Sequence, residues 1–193
     1  MFKFLFTIFF TFFSVIYLSA QPFTVGIKLT GLSVHPGGAT NANLMKYKLD
    51  SKGVFVFNPG IRLSSEYFFY KDIVSIKAEQ GLYADCANQF AGFTHIGLRG
   101  KIFQIGKHSL NGGIGPTNFF RKNWYKLDGY IDDVENFKGS PEDKWQWWFI
   151  LYGGEFEYNY KVNEMIELST SIVPFFPPYI PLVISFGLRI IIN

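Results

Sequence analysis

Near the end of the chain, Leu182-Val183-Ile184-Ser185-Phe186-Gly187-Leu188-Arg189-Ile190-Ile191-Ile192 sets Leu182, Ile184, Phe186, Leu188, Ile190 and Ile192 at alternate positions, with Ser185, Gly187 and Arg189 between them. Successive side chains of a strand point to opposite faces, so this period of two describes a strand with one apolar and one polar face. A helix repeats every 3.6 residues and would scatter the two sets around its circumference.

Working back from that stretch, the same alternation recurs. Ile166, Leu168 and Ile172 oppose Glu167, Ser169 and Ser171, and Tyr152, Phe156, Tyr158 and Tyr160 oppose Glu155, Glu157 and Lys161. A further strand is expected from about His108 to Arg121. Before it, Ile96, Leu98 and Ile102 oppose His95, Arg99 and Lys101, and Val74, Ile76 and Ala78 oppose Ser75, Lys77 and Glu79. Ile61, Leu63, Tyr67 and Phe69 oppose Arg62, Ser64 and Glu66, and Pro59 places a ladder start or a bulge near Gly60. First in the chain, Phe23, Val25, Ile27 and Leu29 oppose Thr24, Gly26, Lys28 and Thr30.

The connections alternate in length. Long ones are expected at about 32–53, 84–91, 122–144 and 174–180, and short ones near 70–72, 104–107 and 161–164. Four long loops at one end and three tight turns at the other require eight strands, and an even count closes the sheet with no free edge. The reading is an all-β, closed antiparallel transmembrane β-barrel of about eight strands with up-and-down topology. Prolines 174, 177, 178 and 181 exclude a spanning helix in the most apolar late stretch. The rival is a soluble lipocalin-like ligand carrier, whose alternation would be inverted, with the apolar face inside and the charges outside. The loop-length order favours lipid on the apolar face, as does an aromatic content of 20%.

Residues 1–20 read as a cleaved signal peptide: Lys3 supplies the positive start, Phe4 to Tyr17 the apolar run, and Ser19-Ala20 the small residues before the cut. That leaves 21–193 as the barrel domain. Lys3 is the only charge removed, so the net charge falls from +3 to +2, which asks for no nucleic-acid partner. Cys86 is the single cysteine and makes no internal disulfide.

If the charged faces point inward, the lumen holds Lys28, Arg62, Lys77, Arg99, Lys101, Lys161 and Arg189 against Glu66, Glu79, Glu155, Glu157 and Glu167. Eight strands enclose only enough space for side chains, so these groups should pair and plug the barrel. Aromatics among charges in loop 122–144 make Trp124, Tyr125, Tyr130, Asp132 and Asp133 the expected ligand-binding surface, while Trp145, Trp147 and Trp148 are expected in an aromatic girdle at the strand start. His35, His95 and His108 lack metal-ligand spacing, the glycines near 112 are followed by no phosphate-loop lysine, and no metal or cofactor is expected.

The stretch His108-Ser109-Leu110-Asn111-Gly112-Gly113-Ile114-Gly115-Pro116-Thr117 locally resembles the outer-membrane lipid A deacylases. That resemblance implies Ser109 as nucleophile and His108 as base, with a downstream acid to orient the histidine. Here the pair is adjacent, so the two side chains should point through opposite faces, and Asn118 to Leu127 holds no Asp or Glu. His95 is the alternative base, reaching from the neighbouring strand. Across the whole mature chain the pattern is similar to the small Gram-negative outer-membrane barrels of OmpA-like or OmpX-like build. This likeness implies residence in the cell outer membrane, with membrane lipid, lipopolysaccharide, the barrel insertion machinery and an extracellular ligand as partners, and a structural or surface-binding role.

Overall fold

A computed structural model of the chain describes residues 22–35, 39–132, 136–173 and 182–192. The signal-peptide expectation and Asp133 therefore lie outside the described residues. Eight strands follow in chain order: β1 (Phe23–Val34), β2 (Phe55–Tyr70), β3 (Val74–Ala84), β4 (Phe90–Ile105), β5 (His108–Lys122), β6 (Trp145–Lys161), β7 (Ile166–Val173) and β8 (Leu182–Ile192). Each pairs antiparallel with its sequence neighbours, and β1 pairs with β8, so the sheet closes as an eight-stranded up-and-down barrel. Every strand thereby finds backbone partners on both sides, which removes the edges that an open sheet would expose.

The faces sort as the alternation requires. Ile27, Leu29, Leu63, Leu98, Phe186 and Leu188 are exposed on the outside, whereas Lys28, Arg62, Lys77, Arg99, Glu155 and Arg189 are buried inside. Leu188 lies opposite Ile27 on β1 and Leu168 on β7, and Arg189 lies opposite Gly26 and Glu167, so one strand carries both environments. A soluble barrel would have the opposite distribution.

The described turns bear out the length alternation, while the long connection expected at 174–180 lies outside the described residues. Residues 71–73, 106–107 and 162–165 close one end, and 35–54, 85–89 and 123–144 close the other. The second long loop is shorter than the 84–91 expected, because β3 and β4 pair as far as Ala84 and Phe90. In the β2–β3 turn Lys71 and Asp72 both adopt positive φ (44° and 55°), and the Ile73 amide donates to the Tyr70 carbonyl at 2.8 Å. That two-residue turn matches the strand twist.

The register shifts at four places along the wall: one lies between Phe68 and Tyr70, beside the β2–β3 turn, and the other three shape the strands. β2 begins at Phe55, before Pro59, and the ladder with β1 shifts between Thr30 and Leu32, beside the proline that has no amide to donate. A second shift lies between Lys101 and Phe103. The third sets Leu151 and Tyr152 of β6 against Pro116 of β5 and reverses which parity of β6 points inward above it. Gly115 sits at this crossing, where a Cβ would collide with the Ile96 carbonyl oxygen, so only glycine fits.

Candidate functional site

The interior is filled in storeys. At mid-height every strand but β5 contributes charge, and on β3 and β6 the pairs Lys77 and Glu79, and Glu155 and Glu157, stand two residues apart, which strand geometry places on one face. Glu157 is the hub: it accepts from Lys28 Nζ, from Lys77 Nζ at 2.8 Å, from Arg99 Nη2 at 3.2 Å and faces Arg189 Nη1 at 3.2 Å. Glu66 meets Arg99 Nη1 at 2.9 Å and Arg189 Nη2 at 2.6 Å, and accepts from Ser75 Oγ at 2.5 Å. Glu155 meets Lys77 at 3.2 Å and Arg99 Nε at 2.8 Å, while Glu79 pairs with Arg62 and, at 2.8 Å, with Lys77. Arg189 Nη1 also reaches Glu167 at 3.0 Å. Five cations thus face five anions, and all but Glu167 have side chains no more than 5% exposed. Buried charges persist only when paired in this way. Gly113 makes room for the network, since a Cβ there would meet Arg99 Cγ at 2.6 Å.

Two of the seven cations expected in the lumen lie elsewhere. Lys101 and Lys161 sit at the turn-end mouth, where Lys101 Nζ donates to Gln104 Oε1 at 2.8 Å and Lys161 pairs with Glu164 at 2.6 Å. Strand parity places both on the inward face, but their height takes them out of the network.

Above the charges lies an apolar storey of Phe93, Phe119, Ile150 and Val173, with Tyr83, Phe137 and Trp148 packed against it. The Arg62 guanidinium lies 5.1 Å from the Phe93 ring centre and joins the two storeys. Trp148 therefore departs from the girdle expectation. It stacks inward, 5.7 Å from both Phe119 and Phe137, because the β6 bulge inverts the parity. Trp145 and Trp147 do point outward and gather with Phe90 and Phe120 at ring distances of 5.6–6.1 Å.

The long-loop end is closed by a cap of Met45, Val56, Cys86, Ala87 and Trp124, flanked by Ala39, Leu127 and Tyr130. Three loops are tied together here. Asn41 is fully buried, donates to the Ile131 carbonyl at 2.9 Å and accepts from its amide at 2.8 Å, so one side chain imitates a strand partner. Trp124 Nε1 donates to Asp85 Oδ2 at 2.8 Å, and the Arg121 guanidinium lies 4.1 Å from both the Trp124 and the Phe137 ring centres. Burial pushes the Asp85 carboxyl up and the Cys86 thiol well above its ordinary range, so Cys86 is an inert packing residue. Burial, reinforced by repulsion from Arg121, pushes His35 down to about 4.

Trp124, expected on the exposed binding surface, is only 2% exposed and belongs to this cap. It opens a short 3₁₀ turn capped by Asn123, whose side chain accepts from the Tyr125 amide. Tyr125 and Tyr130 pack edge to face 5.0 Å apart, both partly exposed, and Asp132 is exposed. Asn41, Asp85, Arg121 and Gln146 order this end and carry no periodic signal in the sequence. The nearest signal was compositional: Asn and Asp in loops are the residues that bond backbone.

The hydrolase candidates are not brought together. His108 points outward and is exposed, its Nδ1 at 2.5 Å from Tyr158 Oη and its ring 5.1 Å from Tyr160, as part of an aromatic band at the turn end. Ser109 faces inward opposite Gln104 and Asn159. His95 is buried with Nδ1 at 2.7 Å from Thr117 Oγ1, and Thr117 stands eight residues further along β5 than Ser109, about 26 Å at 3.3 Å per residue. Among the described residues no group of three His, Cys, Asp or Glu side chains is placed to hold a metal.

No family model and no curated protein matches the chain. Solved structures that resemble it are small barrels. OprG, an outer-membrane protein from Pseudomonas aeruginosa, has 13% identity and a TM-score of 0.48, covering 90% of this chain and 97% of its own. Ail, the attachment invasion locus protein of Yersinia pestis, solved in complex with the heparin analogue sucrose octasulfate, has 12% identity and a TM-score of 0.47, covering 90% and 100%. Neisserial surface protein A has 10% identity and a TM-score of 0.44, covering 89% and 97%. These are likenesses of build at low identity, and the functional reading below rests on the chain's own faces.

Proposed function

We propose that the chain is a bacterial outer-membrane barrel with a plugged lumen, exported behind residues 1–20, that serves as a structural or surface-binding protein through its long-loop end. The observation that carries this is the inversion of faces: a paired charge network inside, and a continuous apolar wall of exposed Ile, Leu and Phe outside. Water would penalise such an outer surface, whereas hydrocarbon requires it. The outward aromatic groups at both ends suit the two headgroup levels. In this reading membrane lipid and lipopolysaccharide contact the wall, insertion machinery assembles it, and Tyr125 and Asp132 on the tied loops offer a fixed surface to an extracellular ligand.

The lumen passes no solute at mid-height, because the charged and apolar storeys fill it. Hydrolysis of lipid A receives no support from the geometry, since Ser109 has neither His108 nor His95 within reach. The test is the solvent that the fold demands. The purified chain should stay folded only with detergent or lipid and should migrate differently on gels before and after boiling. A monodisperse, folded chain in plain buffer would overturn the membrane reading.

A further inference from the structure

Below the charge network, at the turn end, the interior opens into a cavity of about 280 Å³. This volume is near the lower end of small-molecule sites. Its cations are of two kinds. Arg189 is committed to Glu66, Glu157 and Glu167, and Lys161 to Glu164. Lys101 and Lys107, also in the lining, have no carboxylate within ion-pairing distance among the described residues, and Gln104 holds the Lys101 ammonium by one hydrogen bond. Asp72, on the β2–β3 turn, is the one lining carboxylate without an ion pair among the described residues, so the mouth keeps an uncompensated positive charge.

The layer behind the lining gives a second, independent observation. Asn159 lies on the inward face of β6 between Glu157 of the network and Lys161 of the cavity wall, and it is fully buried. Among the described residues neither its Oδ1 nor its Nδ2 has a hydrogen-bond partner, and the Ser169 hydroxyl opposite it on β7 has none either. On its other side Asn159 pairs in register with Ser109, which lines the cavity. Buried amides and hydroxyls are nearly always bonded, because leaving them unbonded forfeits their hydration. Here they lie behind Ser109, one strand away from the cavity lining.

We propose that this cavity binds a small oxyanion, a phosphate or carboxylate borne on a compact solute. The ammonium groups of Lys101 and Lys107 hold its charge, and Ser109 and Asn111 bond its oxygens. This gives the His108-Ser109 stretch a different use: Ser109 is a ligand-binding hydroxyl, while His108 belongs to the outer wall. The site lies inside the wall, so the inference does not rest on what surrounds the barrel.

The experiment is calorimetric titration of the full chain in non-ionic detergent, with no lipid phosphate present, using inorganic phosphate and succinate as probes at fixed ionic strength. Saturable binding of at least one probe is expected. Lys101→Gln with Lys107→Gln should weaken it roughly tenfold or more, since charge-assisted bonds are lost. Lys122→Gln, at the opposite end, should leave it unchanged. If the double variant fails to fold, Lys107→Gln alone suffices, because its side chain stands exposed beside a tight turn. No saturable binding of either probe up to about 10 mM would overturn the proposal. So would unchanged affinity in the lysine variants, or binding that requires added phosphatidylglycerol, which would identify a lipid-headgroup site instead.

Discussion

Replacing Glu157 with Gln keeps the shape of the side chain and removes one charge from the centre of the barrel. Glu157 faces four cations, three of them at 2.8–3.2 Å, with its side chain 0% exposed. At an effective dielectric near 20, each such contact amounts to about 5 kcal/mol of attraction, most of it offset by the desolvation of both partners. What remains decides the outcome: the Glu157→Gln change leaves five cations against four anions among buried side chains, and breaking a buried pair in this way costs about 3–5 kcal/mol. Guanidinium titration in detergent micelles, followed by tryptophan fluorescence and gel mobility, measures the loss. Adding Lys28→Met restores four cations and four anions, so the double variant should recover at least about 1 kcal/mol relative to Glu157→Gln alone. A Glu157→Gln barrel within about 1 kcal/mol of the parent, or a Lys28→Met change that only adds its own loss, would refute the paired-network account.

Leu188→Arg should lower stability in a lipid environment by about 2–4 kcal/mol if it lies near the midplane, and Arg189→Leu should also destabilise by taking from Glu167 its ion pair and leaving Glu66 with Arg99 alone; a stabilising Arg189→Leu would contradict the assignment of faces. On intact cells, added protease should cut within 123–144 and spare the 106–107 turn, and Asn41→Ala should speed that cutting by releasing Ile131; cleavage at the short turn would reverse the orientation. His35 titrates at about 4 in the folded chain against 6.5 ordinarily, so between those values the unfolded chain takes up a proton that the folded chain refuses. The loop cap should therefore loosen as pH falls from 6.5 to 4, with Trp124 emission as the readout, and an equal pH response in His35→Gln would remove that cause.

Much of the wall was legible because strand parity is written residue by residue: Leu188 and Arg189 could be assigned to opposite faces from their neighbours alone. Height along the barrel is not written that way. Lys101 and Lys161 have the parity of lumen residues and yet stand at the mouth, because only register against the other strands fixes their level. Trp148 was misplaced for a related reason: one extra residue opposite Pro116 inverts every position of β6 above it, and a bulge leaves little trace in the pattern. The polar neighbours of Trp124 point to exposure, whereas its burial depends on Met45, Val56 and Cys86, which reach it from distant parts of the chain. The Asn41 contact with Ile131 spans 90 residues and has no local signature. His108 and Ser109 lie on opposite faces for a reason legible in the sequence, since adjacent strand residues do not share a face.

Trp147 and Trp148 are neighbours in sequence and face opposite sides of the wall, Trp147 exposed on the outer surface and Trp148 packed against Phe119 and Phe137 within. Two variants, each keeping one of these tryptophans with the other three replaced by Phe, should be folded into vesicles whose lipids carry bromine just below the headgroups. Strong quenching of Trp147 emission and little quenching of Trp148 is the expected result. Equal quenching of the two, or none of Trp147, would contradict a barrel that turns its apolar face to lipid and its charges inward.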